Sequence, residues 1–423
     1  MSEWKKVKIG DIFSIEKGSL QSSKCTPGEY DFITAATDWK THNSFDHECE
    51  SIVYAVAASG SLGRAHYVNG KFIASDLCFI LTEKDKNQYP INFLFYQIVF
   101  EMLRDEIVSK TKTGTSKESI NRGNFSNYEI PYFPIEFQLA NYEKFVNAKN
   151  IIKNLLEESE KQKNYIKQLR QNILQEAIEG KLTADWRKQN PVQKGNPDYD
   201  AEALFEQIQK ERNNEKKQKE ISPITDEEKP FEIPEGWKWV HFGDVIEIAT
   251  NIVESSDYKD AIQVGPEDIE KNTGRLIYPL KTVREKGIIS VNHIFHKNML
   301  IYSKIRPRLR KIAYVDFDGV CSADMYPLKT KLNYFYIKNL MLSDYFDLEV
   351  YKFDNRVKMP KINQPQLNSI KIPIPPVTEQ KEIVEEVENS LQSLSALEEQ
   401  IIERENIIKQ LMQSILKDAF EEK

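Results

Sequence analysis

The sequence predicts an α/β (mixed α+β) fold for two globular domains, separated by two long antiparallel coiled-coil helices and related by a pseudo-twofold internal repeat. Three observations lead there: the chain aligns with itself, each copy ends in a heptad pattern, and a strand-rich segment precedes each pattern. Sliding the sequence by about 242 positions lays Ile130–Lys181 on Ile372–Lys423 without a gap, with roughly 19 of some 52 positions identical. Ile166-Lys167-Gln168-Leu169 returns as Ile408-Lys409-Gln410-Leu411, and Ala177 as Ala419.

Both copies open on prolines, Ile130-Pro131 with Pro134 and Ile372-Pro373 with Pro376, and Gln138 matches Gln380. Proline forbids helix before it and permits helix after it. Beyond the prolines, Ile152, Leu155, Ser159, Gln162, Ile166, Leu169 and Ile173 alternate spacings of three and four. Leu394, Leu397, Ile401, Arg404, Ile408, Leu411 and Ile415 do the same. This is a heptad seam on helices of about 40 residues, roughly 60 Å long. So long an apolar stripe needs a partner, and the other copy supplies one.

The repeat reaches the preceding segments. Trp4–Ile12 resembles Trp237–Val245, Val53-Tyr54 matches Ile301-Tyr302, and Ser75-Asp76-Leu77 matches Ala323-Asp324-Met325. Runs at Ser51–Val56, Phe72–Leu81, Met299–Tyr302 and Lys311–Val315 favour β-branched and aromatic residues and read as strands. Pro90–Arg104 and Leu332–Tyr345 read as helical. Globular domains are expected at 1–130 and 231–371, and the long helices at 131–182 and 372–423. Residues 183–230 are expected to form a polar linker, with one helical candidate at Ala201–Arg212.

A chain of 423 residues with 40% hydrophobic and 29% charged content has more than one core. It carries no apolar run of membrane-spanning length and no signal-peptide core, so a cytoplasmic protein without a membrane role is expected. Cys25, Cys49, Cys78 and Cys321 are scattered, which argues against a zinc knuckle or a disulfide framework and for reduced thiols. The net charge of -7 by itself opposes nucleic-acid binding. The acid excess, however, lies beyond about Ile372, while 231–371 comes to roughly +3.

The constellations of an enzyme are missing from the sequence. A methyltransferase would carry a glycine-rich turn and an Asn/Asp-Pro-Pro-aromatic motif, and the turns at Ser59–Arg64 and Thr113–Lys117 lack P-loop spacing. Pro197-Asp198 followed by Glu227-Glu228-Lys229 mimics a metal nuclease, but both parts fall in the linker. None of the six histidines has a convincing metal-ligand partner, and His293 with His296 reads as a surface pair on a helix. No metal, catalytic residue or cofactor is expected.

Basic clusters remain. Lys304, Arg306, Arg308, Arg310 and Lys311 crowd together after Arg284, and Lys358 follows. In an extended segment Arg306, Arg308 and Arg310 would share one side, suited to phosphates or guanine edges, although Pro307 favours an edge strand or loop. The first domain offers Arg64, Lys110, Lys112, Lys117 and Arg122. These are the candidate DNA contacts, weighed against solvated charged faces. A coiled-coil adaptor that binds no DNA and a fused DNA-modifying enzyme are the alternative readings.

The whole arrangement resembles the specificity subunit of type I restriction-modification systems. The likeness rests on Ile372-Pro373-Ile374-Pro375-Pro376 with Glu379-Gln380, on the helix end Ile173–Arg187, and on the re-entry Ile233–Trp237. Ala57–Arg64 and Tyr302–Pro307 resemble family segments too; Tyr132-Phe133 departs from the usual lead-in. The resemblance implies target recognition domains at 1–130 and 231–371 that read double-stranded DNA without catalysis. It also implies two methyltransferase subunits acting at adenine N6 and restriction/translocase subunits. S-adenosylmethionine and ATP/Mg would belong to those partners.

Overall fold

The computed structural model describes residues 4–58, 60–114, 118–215, 224–353 and 360–421. Two compact units are present, one of residues 1–162 with 400–423, the other of residues 163–399.

In the first unit, which holds the first head, a six-stranded sheet runs in the order Phe13–Lys17, Cys78–Glu83, His47–Ala55, Ala65–Ala74, Tyr30–Ile33, Lys40–His42. Side chains of a strand alternate between faces. Ile52 and Tyr54 therefore join Phe13, Leu81 and the helix Phe93–Met102 in one core, while Val53 and Ala55 join Phe72, Ala74 and Ile80 in another. Lys6–Lys8 pairs antiparallel with Glu129–Pro131, clasping the head's two ends.

The second unit holds the second head, which repeats this plan. Ile246–Ile248, Met325–Thr330, Met299–Ser303 and Ile312–Val315 follow the order of the first four strands of the first head. The alternation also repeats: Leu300 and Tyr302 face the core under the helix Tyr334–Leu342, and Met299 and Ile301 face the other. Lys238–His241 clasps Lys371–Ile374. The heads differ outside this frame. The second has a separate five-stranded sheet, where the first extends its main sheet by two strands.

The long helices span Ile135–Ile178 and Val377–Glu421, 44 and 45 residues. Gly180, at a φ of 72°, ends the first, because a left-handed position after a helix suits a residue without Cβ. In the second unit Arg170 approaches Glu398 at 3.8 Å and Thr183 bonds Glu379 at 2.7 Å, so numbers rise on one helix as they fall on the other. In the first unit Arg404 donates to Gln162, its equivalent in the repeat.

The seam is narrower than the sequence predicts. Ile152, Ser159 and Ile166, like Leu394, Ile401 and Ile408, are buried, with Ile173 partly so. The alternate row stays outside: Leu155, Leu169, Leu397 and Leu411 are 40 to 49% exposed. Two helices meeting along one row cover every seventh residue and leave the next row at the margin. The side chain of Ile415 lies outside the described residues.

Other expectations need correction. Phe72–Leu81 is not one strand: a turn at Ser75-Asp76-Leu77, closed by Cys78 N–H to Ser75 O at 2.9 Å, splits it. His293 and His296 stand on and just beyond the strand Asn292–Phe295, with His293 buried and His296 exposed, so they form no helical pair. The linker is also more ordered than its composition suggests. It forms helices Ala184–Gln189 and Ala201–Glu215, and Ala201, Leu204 and Ile208 enter the core beside Trp237 and Trp239. One apolar stripe at helical spacing suffices to dock an otherwise polar helix.

Candidate nucleic-acid interface

In both heads the hairpin between the two central antiparallel strands carries a loop, described at residues 56–58 and 60–64 in the first head and at 304–311 in the second. Neither loop is slack. Ala58, Gly60 and Gly63 of the first have φ of 85°, 80° and 78°, and Arg104 donates to the carbonyls of Leu62 at 2.6 Å and Gly60 at 3.2 Å. A Cβ at Gly63 would come within 2.6 Å of Val108, so that glycine is also needed for close approach.

The second loop is pinned by the reverse arrangement. Arg310 of the loop bonds Asp344 at 2.6 Å, Asp347 at 3.2 Å and the carbonyl of Leu342 at 2.9 Å. Arg104 begins the helix Arg104–Thr111 of its head, as Asp344 begins Asp344–Tyr351. The charged partner has changed sides of the same joint. Sequence inspection missed Arg104 because nothing local separates it from an ordinary surface arginine.

Each loop lies beside a second segment. Ile120 N–H bonds Val56 O at 2.8 Å, bringing the small hairpin of Lys112–Thr113 and Ser119–Ile120 to the first loop. Arg306 N–H bonds Pro360 O at 2.8 Å and Ile362 N–H bonds Lys304 O at 3.0 Å, bringing 360–362 to the second. Lys110 adds positive charge there in the first head, whereas Lys361 in the second is paired with Asp324 at 3.0 Å.

The candidate contacts now separate. The stretch around Pro307 is not extended: Pro307–Leu309 is a turn of 3-10 helix flanked by left-handed Arg306 and Arg310. The expected row of three arginines on one side is therefore absent. Proline and two left-handed residues curl the segment, and Arg310 turns inward, only 12% exposed. Arg306 is exposed, and Arg308 is 53% exposed with its guanidinium 4.8 Å over the Tyr351 ring and 3.4 Å from Asp347. Lys304 donates to Ala323 O at 2.6 Å, and Lys311 to Pro266 O.

Arg284 is exposed and paired with Asp260 at 2.9 Å. In the first head Arg64 binds Ala35 O and Ser61, Arg122 reaches Ile15 O, and Lys112 pairs with Glu118 at 2.7 Å, leaving Lys110 exposed at a helix end. Lys117 and Lys358 lie outside the described residues.

Both heads bury a histidine near these cations. Burial, with a smaller contribution from Arg64, lowers the pKa of His66; burial, then Lys304, lowers that of His293. Burial also raises the thiols of Cys78 and Cys321 to about 12, keeping them protonated. Among the described residues no group of three or more His, Cys, Asp or Glu could hold a metal ion, and no helix is long and apolar enough to cross a membrane. The second head presents Arg306 and Arg308 outward on a braced loop, and the first sets the exposed Lys110 near its braced loop, which is what positioning along a phosphate backbone requires.

Arg310→Met separates bracing from binding. It removes one of the two arginines on the buried Asp347 carboxylate, leaving Arg308 at 3.4 Å, and is expected to cost about 2 kcal/mol in urea denaturation. The salt dependence of DNA binding should stay that of the parent; a lower salt slope at parental stability would place Arg310 on DNA instead.

Comparison with known proteins agrees with the duplicated architecture. The family profile described as "Type I restriction modification DNA specificity domain" matches residues 1–168 and again 234–404. The chain is 30% identical over 421 residues to the type I restriction enzyme EcoDI specificity subunit of Escherichia coli, covering 99% of this chain and 88% of that one. The EcoAI specificity subunit of the same organism is 29% identical over 250 residues, 54% of this chain and 40% of that one. A chain from a solved structure concerned with complex assembly and conformational transition of the type I R-M system superposes with a TM-score of 0.60. It has 15% identity, with 99% of this chain and 98% of that one covered. With the profile falling once on each head and the likeness running nearly end to end, the chain belongs to the family of type I restriction-modification specificity subunits.

Proposed function

We propose that this specificity subunit reads a two-part, asymmetric DNA target, one half-site per head, with the gap between them set by the paired long helices. The target recognition domains are assigned to 1–130 and 231–371. The observation that carries the reading is the arginine-braced loop at the same hairpin of both heads, with Arg306 and Arg308 facing outward in the second. Two copies of one reader related by a twofold axis meet the duplex in opposite senses, and heads on one side of B-DNA place half-site centres about one turn, roughly 34 Å, apart. Because the heads differ in their outer strands, the two half-sites are different words.

Two methyltransferase subunits acting at adenine N6, and restriction/translocase subunits, complete the complex and supply S-adenosylmethionine and ATP/Mg chemistry. The apolar row left on each unit, Leu155 with Leu411 in the first and Leu169 with Leu397 in the second, is surface for such partners.

The ruler is testable. One heptad inserted between Ile152 and Ile173, with another between Leu394 and Ile415, adds about 10 Å of helix, close to three base pairs. Methylation mapping should show both half-sites unchanged and the gap lengthened. An unchanged gap with active enzyme refutes the ruler.

A further inference from the structure

We propose that Gln138 and Gln380 are positioning residues that hold each head at a fixed angle to the long helix leaving it, and so set how strictly the gap is measured. This rests on the two-part reading above. Gln138, fully buried in the first turns of its helix, accepts from Asn92 N–H at 2.6 Å and donates to Pro90 O at 3.0 Å and Phe133 O at 2.7 Å. Gln380, also buried, accepts from Asn333 N–H at 2.7 Å and donates to Pro375 O at 2.8 Å.

Asn92 and Asn333 are in turn the N-caps of the head helices Phe93–Met102 and Tyr334–Leu342. A single amide thus ties the exit of the clasp, the start of a head helix and the start of the long helix. An amide is suited to this because it donates and accepts at once.

The neighbouring position shows that the joint was free to change. Phe137 stacks on Phe133 at 5.3 Å between ring centroids, whereas its equivalent Glu379 bonds Trp237, Thr183 and Arg187. Packing around the joint differs between the heads, while both glutamines keep the bond from the N-cap backbone N–H and the bond to the lead-in carbonyl. A head of this size reaches about 20 Å from its joint, so a swing of about 10° moves its edge by about one base-pair step.

The test uses the specificity subunit assembled with its methyltransferase subunits, on duplexes carrying both half-sites at varied gaps. The parent should methylate one gap; loss of gap selection in the parent would sink the two-part reading itself, whatever the glutamines do. Gln138→Met or Gln380→Met is expected to read the same half-sites while its preference for the correct gap over gaps one base pair longer or shorter falls at least about tenfold. Asn92→Ala removes the helix cap but leaves the backbone donor, so its gap preference should stay parental. Unchanged preference in both Met variants overturns the proposal, as does equal broadening by Asn92→Ala. Should Gln138→Met not assemble, Gln138→Glu, which keeps the acceptor and loses the amide donor, is read by the same ratio.

Discussion

Reversing Arg306 and Arg308 together to Glu is expected to weaken DNA binding on the order of 100-fold at moderate salt and to lower the slope of log affinity against log salt by about 2. These two side chains project from the second-head loop, whereas Lys304, Arg310 and Lys311 are engaged inside it. Arg308 is also pre-oriented: Tyr351 lies under its guanidinium and Asp347 limits its swing, so little rotamer freedom is lost on binding. Filter binding across a salt series, with a denaturation curve as control, reads both numbers. Parental affinity and slope in the folded double variant would remove this loop from the interface.

Glu379→Ala is expected to destabilise the second unit by about 3 kcal/mol. The Glu379 carboxylate is 2% exposed and accepts from Thr183 Oγ1 and Trp237 Nε1, each at 2.7 Å, and from the Arg187 guanidinium. Its removal strands an arginine and an indole N–H with little access to water. It also frees the segment after Gly180, since Arg187 holds the Gly180 carbonyl as well. Adding Arg187→Ala should recover part of the loss, because no unpaired charge then remains. Urea denaturation of the full chain checks this; a single variant within about 0.5 kcal/mol of the parent would show that the network contributes little.

The architecture was legible because it is written in periodicities. The offset repeat, the proline lead-ins and the heptads need no knowledge of which residues touch, and the long helices start beyond Pro134 and Pro376 as the prolines require. What local pattern could not show was which partner a residue finds. Arg306, Arg308 and Arg310 look alike in sequence, yet Asp344 and Asp347, more than 30 positions on, draw Arg310 inward. Leu155 and Ile152 are equally apolar, and only the helix pairing decides that one is covered and the other is not. Ala201, Leu204 and Ile208 were hidden in a polar composition, because burying a helix takes few apolar residues once Trp237 and Trp239 receive them. The matching of Gln138 with Gln380 was visible in the sequence, but its meaning emerged only with the bonds to Asn92 and Asn333.

The most direct test is to map methylated bases across a genome that carries this chain with its methyltransferase. The account predicts one motif made of two unlike words at a single fixed spacing, with the modified adenines on opposite strands. A continuous motif, or a palindrome of one word, would contradict it.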